Sequence, residues 1–184
     1  YVIGDIHGQY AELCKLLKKL DVTDKDQVIF LGDLFDGAET LSDLDNIYWM
    51  IRNDPCRYSS VKGNHEIYAR NVVLHGASKI YWSLHRGDAT CTWLEKMPLN
   101  EREAIVNWLD SFPVMIDITI DGKLYCLSHT LAYGRRKKYL ASTGEIDNLC
   151  LARAIIEQDP DEATFPVIPI KDVEYFHRLR HTHI

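Results

Sequence analysis

The first sixty residues alternate between short apolar runs and amphipathic stretches. Tyr1 to Ile3 and Gln27 to Leu31 each end in Gly-Asp, at Gly4-Asp5 and Gly32-Asp33, and predict buried strands. Between them Leu13, Leu16, Leu17 and Leu20 recur at helical spacing with lysines on the other face. That pattern predicts a strand, helix, strand unit and favours a parallel pair. A second helix is predicted over Leu41 to Ile51 by Leu44, Ile47, Tyr48 and Ile51, with Thr40 and Asp43 spaced as a capping box, and a strand follows near Tyr58 to Val61.

The pattern then weakens. Ile67 to Lys96 carries mixed aromatics and reads as helical with an irregular insertion. Asn100 and Glu103 are placed to cap a further helix, whose Ala104, Ile105, Trp108 and Leu109 face inward and which ends before Pro113. Val114 to Ile120 and Lys123 to Leu127 flank Asp121-Gly122, which predicts a hairpin with a type I′ turn. Gly134 to Pro169 is charged and irregular, with one helical stretch near Leu149 to Ile156.

Composition narrows the function classes. At 184 residues, 46% of them apolar, the chain reads as one domain over 1–184. The balance of 21 basic against 27 acidic residues gives −6, so no excess positive field favours nucleic acid. Five cysteines without C-x-x-C spacing fit a reducing, cytoplasmic setting. No apolar run approaches the roughly 20 residues that cross a bilayer, so no membrane partner is expected. The chain opens on Tyr1, inside a predicted strand, and both of its ends are read as cuts within the domain.

Placement singles out the chemistry. Asp5, His7 and Asp33 each fall where an apolar strand gives way to a glycine-containing loop. Asn64 and His65 follow the next strand within Gly63-Asn64-His65-Glu66, and His129 closes the hairpin in Leu127-Ser128-His129. In open α/β sheets the carboxyl ends of strands line the ligand crevice, so these groups can converge there. Any one of them alone is more often a turn former or a satisfied polar residue. Gly-Asp-x-His-Gly, Gly-Asp-x-x-Asp and Gly-Asn-His-Glu in this order, each after a strand, point jointly to metal.

These three motifs, with Ser128-His129 and His181-Thr182, resemble the calcineurin-like metallophosphoesterases, specifically phosphoprotein phosphatases of the lambda-phosphatase type. The resemblance implies a four-layer αββα sandwich in the α/β class, with the closing strands left unaccounted for after Ile184. It implies two divalent ions, with Mn²⁺ favoured and Fe or Zn²⁺ as alternatives. Asp5, His7 and Asp33 would hold one, and Asp33 would bridge to a second held by Asn64, His129 and His181, with His183 a secondary candidate. Such a mixed N/O donor set suits these metals, and a bridging carboxylate holds two ions about 3.5–4 Å apart. A metal-bridging hydroxide would attack phosphorus in line. His65 resembles the family's general acid, oriented by Asp36.

One departure stands out. The family continues its second motif as Gly-Asp-x-x-Asp-Arg-Gly, whereas here Asp36 is followed by Gly37-Ala38. The guanidinium that would grip the substrate phosphate is absent from that position, and Arg153 and Lys62 are the replacement candidates. The resemblance implies a serine/threonine protein phosphatase acting on a phosphorylated protein or a small phosphate ester. Symmetrical dinucleoside tetraphosphate hydrolysis is the alternative enzyme, and a non-catalytic metal-stabilised binding module is the rival from another class.

Overall fold

A computed structural model of the chain describes residues 1–120 and 122–129. His181, His183, Arg153 and the predicted helix near Leu149 to Ile156 lie outside these residues. The element order is β1 (Val2–Ile3), α1 (Tyr10–Lys19), β2 (Val28–Phe30), α2 (Leu41–Asn53), β3 (Tyr58–Ser60), α3 (Asn64–Val73), α4 (Lys79–Leu84), α5 (Asp88–Glu95), α6 (Leu99–Asp110), β4 (Met115–Ile120) and β5 (Lys123–Ser128).

The strands β1, β2 and β3 form a parallel sheet in that order, with Ile3 beside Phe30 and Phe30 beside Ser60. Helices α1 and α2 are the crossovers that parallel neighbours require. β4 and β5 form the expected antiparallel hairpin, pairing Ile116 with Leu127 and Ile118 with Tyr125. Gly122 has the positive φ (75°) that the predicted turn needs. The architecture is mixed α/β, and the four-layer expectation is met, among the described residues, as far as a parallel sheet, its helices and a separate hairpin.

The core follows the apolar periodicity. Leu13 of α1, Leu44, Ile47 and Ile51 of α2, and Val28 and Phe30 of β2 are buried, while Lys15, Lys18 and Lys19 are exposed. Thr40 caps α2, its hydroxyl accepting from the Asp43 N–H (3.3 Å) and donating to the Asp43 carboxylate (2.6 Å). The weakly patterned stretch supplies three short helices that bring Ile67, Trp82, Trp93 and Leu94 into the core.

The readings of α3 and α6 need correcting. The helical reading starts at Ile67, whereas α3 begins at Asn64, so Asn64 and His65 form its first turn. α6 is not capped by Asn100: it begins at Leu99, behind Pro98, whose carbonyl accepts from Glu101 (3.1 Å) and Arg102 (3.0 Å). Proline's fixed φ starts the turn early, and the Arg102 guanidinium then satisfies the Leu94 carbonyl at the end of α5 (3.1 Å). The buried face is Ile105, Val106 and Leu109, with Trp108 half-buried, whereas Ala104, expected to face inward, is exposed.

Candidate active site

The parallel strands all point their carboxyl ends at one crevice. Asp5 and His7 follow β1, Asp33 and Asp36 follow β2, Asn64 and His65 follow β3, and His129 follows β5. His7 (φ 48°) and Asp33 (φ 53°) both hold left-handed backbone, a cost of about 1–3 kcal/mol that non-glycine residues bear mainly at functional sites. At Gly63 a Cβ would lie 2.2 Å from Asp33 Oδ1, so a side chain there would displace the carboxylate.

Glu66 locks this arrangement from below. Buried, it accepts N–H bonds from Gly63 (2.7 Å), Asp33 (3.0 Å) and Leu34 (3.0 Å), tying the β2 and β3 loops to the first turn of α3. Asp33 is buried too. Its Oδ1 accepts the His65 backbone N–H (3.1 Å), and its Oδ2 faces His129 Nε2 (3.3 Å), His65 Nε2 (3.8 Å) and His7 Nε2 (4.0 Å).

All three imidazoles are anchored through Nδ1. His7 Nδ1 meets the Asp36 carbonyl (2.8 Å), His129 Nδ1 the Leu31 carbonyl (2.7 Å), and His65 Nδ1 the Asp36 carboxylate Oδ2 (2.6 Å). These oxygens can only accept, so each ring carries its proton on Nδ1 and turns Nε2 toward Asp33. Metal-binding histidines are commonly fixed in this way. At His129 the consequence is sharp. Its Nε2 stands 2.9 Å from Asn64 Oδ1 and 3.3 Å from Asp33 Oδ2, and with the Nδ1–H tautomer of the neutral ring these are three acceptors that a shared cation, a proton or a metal ion, would hold together.

The residues present therefore fit a metal. Ligand atoms of His7, Asp33 and His65 lie within 4.8 Å of one another, as do those of Asp5, Asp33 and His129, and Asp33 belongs to both groups. His65 thus stands where either a ligand or a proton donor could stand.

Electrostatics separate the two histidines nearest Asp36. Burial, and then the neighbouring His65 charge, hold the His7 imidazole below its ordinary range. Burial also opposes charging of His65, but its hydrogen bond to Asp36 and the charges of Asp33, Asp36 and Glu66 outweigh it and raise it. Burial, reinforced by Glu66, pushes the Asp33 carboxyl well above the usual carboxylate range.

Of the candidates placed by sequence, Asp5, His7, Asp33, Asp36, Asn64, His65 and His129 converge here. Lys62 is differently engaged: its Nζ is held by Asp110 of α6 at 2.7 Å, where Arg70 Nη1 also approaches (3.5 Å). Three residues had been given no role. Glu66 lay in plain view within the third motif, whereas Trp82, which donates to Asp36, and Arg86, which donates to Gly37, lie in the stretch without clean periodicity.

The sequence model of the family described as Calcineurin-like phosphoesterase matches residues 1–181. The chain is 34% identical to Serine/threonine-protein phosphatase 2 of Escherichia coli (strain K12) over 134 residues, covering 70% of this chain and 56% of that protein. It is 32% identical to the symmetrical Bis(5'-nucleosyl)-tetraphosphatase of Legionella pneumophila (strain Lens) over 111 residues, covering 59% of this chain and 36% of that one. A solved protein serine/threonine phosphatase from Saccharomyces cerevisiae aligns with 62% of this chain and 33% of its own, at a TM-score of 0.43 and 21% identity. This chain thus spans little more than half of the longer-matched curated relative. With the family match running from β1 to His181, the chain belongs to the calcineurin-like phosphoesterase family.

Proposed function

We propose that this chain hydrolyses phosphate monoesters, with phosphoserine and phosphothreonine in proteins as the substrate class. The observation that carries the reading is the common anchoring of His7, His65 and His129 through Nδ1, which turns three Nε2 atoms onto the buried Asp33. Asp5, His7 and Asp33 would hold one divalent ion, and Asp33, Asn64 and His129 a second, with His181 or His183 completing it and Mn²⁺ favoured over Fe or Zn²⁺. Bound there, the ions would supply an acidified water and neutralise charge on phosphoryl oxygens.

The chain's own groups do the rest. In its imidazolium form, which the Asp36 hydrogen bond and the surrounding carboxylates favour, His65 keeps Nδ1–H on Asp36 and presents Nε2–H as the proton donor to the leaving oxygen. A carboxylate oriented on that ring is superfluous in a binding module that keeps metal for folding alone. The protein substrate class rests on the Escherichia coli relative.

Symmetrical dinucleoside tetraphosphate hydrolysis is the second reading, and a row of rings favours it. Tyr68 stands 5.2 Å from His65, His85 5.4 Å from Tyr68, and the half-exposed Tyr81 4.5 Å from His85, a surface on which bases could stack. Comparing kcat/KM for a phosphothreonine peptide and for diadenosine tetraphosphate, with Mn²⁺, separates the two. Absence of turnover on both and on p-nitrophenyl phosphate would establish the binding module instead.

A further inference from the structure

Helix α4 and the tight turn after it, residues 85–87, pack against the loop that follows β2. Gly87 N–H and His85 N–H both bond to the Trp82 carbonyl (3.0 Å each), and Arg86 N–H bonds to Ser83 (3.1 Å), which leaves Arg86 in left-handed backbone at φ 67°. A left-handed arginine is uncommon enough to call for a reason.

The reason lies across the gap. Gly37 N–H donates to the Arg86 carbonyl (3.1 Å), and Arg86 Nη2 donates back to the Gly37 carbonyl (3.3 Å). Gly37 has φ 98°, and a Cβ on it would lie 2.8 Å from Arg86 Cζ. A side chain at position 37 and the guanidinium of Arg86 therefore compete for one space. Glycine leaves that space to the guanidinium.

Its address is the active site. Gly37 directly follows Asp36, whose carbonyl seats His7 and whose carboxylate seats His65. Gln9 joins the same loop, its Nε2 3.4 Å from the Gly37 carbonyl. Arg86 is exposed, no carboxylate among the described residues pairs with it, and its bond to Gly37 engages one of five N–H donors. Lys62, by contrast, is neutralised by Asp110.

We infer that Arg86 is the guanidinium that binds the phosphoryl group of the substrate, delivered from the α4–α5 turn into the space that Gly37 vacates. The inference rests on the phosphoesterase reading, and it names the cation that the sequence lacks directly after Asp36. Arg86 acts as a fork-shaped donor to two phosphoryl oxygens, which an ammonium cannot reproduce.

The test compares wild type with Arg86→Ala and Arg86→Lys, all loaded with Mn²⁺. Binding of inorganic phosphate is measured by calorimetry, hydrolysis of p-nitrophenyl phosphate by steady-state kinetics, and metal content by elemental analysis. Arg86→Ala is expected to weaken phosphate binding at least tenfold and to lower kcat/KM by about 10²-fold, the scale of losing one donor to developing charge. Arg86→Lys should recover only part of this, and added methylguanidine should restore part of the Arg86→Ala rate. Manganese content and thermal midpoint should stay at wild-type values. Unchanged phosphate affinity in Arg86→Ala overturns the inference, as does a loss of affinity accompanied by loss of metal or of the folded state. The parent reading fails separately: a wild type that binds phosphate through Arg86 yet turns nothing over refutes the hydrolase and keeps the inference.

Discussion

The indole N–H of Trp82 donates to Asp36 Oδ2 at 2.5 Å, the same carboxylate oxygen that takes the His65 Nδ1–H at 2.6 Å. Both Trp82 and Asp36 are buried, so the carboxylate is held by two donors in a dry setting where each bond counts for more than in water. The α4 segment is thereby tied to the orientation of His65, not merely packed beside it.

Replacing Trp82 by Phe keeps most of the ring's packing and removes the donor. The Asp36 carboxylate then loses one of its fixed directions, and His65 gains freedom to turn. A hydrogen bond to a charged group contributes about 1.5–3 kcal/mol, so kcat for a poor leaving group such as phenyl phosphate is expected to fall about 10–100-fold. Manganese content should not change. An unchanged kcat would reduce Trp82 to a packing residue.

Asp33 is the point on which both metal groups converge. Mn²⁺ added to metal-stripped wild type should raise the thermal midpoint, since a ligand at a hundred times its Kd stabilises by about 2.7 kcal/mol per site. Asp33→Asn removes the shared anion, so the shift should collapse and elemental analysis should show both ions reduced. Two retained ions in Asp33→Asn would contradict the bridging arrangement.

Glu66 is a structural counterpart to these groups. Its carboxylate collects three backbone N–H bonds from two loops. Glu66→Gln keeps the shape but leaves one oxygen and an NH₂ facing donors. The expected loss is about 2–4 kcal/mol, read as a lower urea midpoint, because buried donors lose a charged acceptor and at least one is left unpaired. A midpoint equal to wild type would mean that the loops are held by other contacts.

How much of this could be read in the sequence depended on distance along the chain. Asp5, His7 and Asp33 each sit within a few residues of a short apolar strand, and Asn64 lies in a Gly-Asn-His-Glu motif just after β3, so short-range pattern and motif together located them. α1 and α2 declared themselves because each buries one face only, around Leu13 and around Leu44, Ile47 and Ile51. Trp82 and Arg86 reach partners 46 and 49 residues away, and α4 and α5 have only 6 and 8 residues, too few for a period to emerge. The early start of α6 was hidden because Pro98 and the Arg102 contact set it in place of a polar cap.

His65 carries the sharpest test, because its Nε2 stands 3.8 Å from Asp33 Oδ2, close enough to serve as a ligand, while its Nδ1 is held by Asp36 as a proton donor's would be. The two roles respond differently to His65→Asn. If His65 protonates the leaving oxygen, kcat for phenyl phosphate should fall about 10²–10⁴-fold, the range for loss of a general acid. p-Nitrophenyl phosphate should suffer much less, because its leaving group departs readily without a proton. Manganese content should match wild type in that case. If His65 is a ligand, the variant should lose metal, and both substrates should slow by similar factors whatever their leaving groups. A leaving-group dependence in Asp36→Asn that parallels His65→Asn, at smaller amplitude and with both ions retained, would place Asp36 behind the ring as its orienting partner.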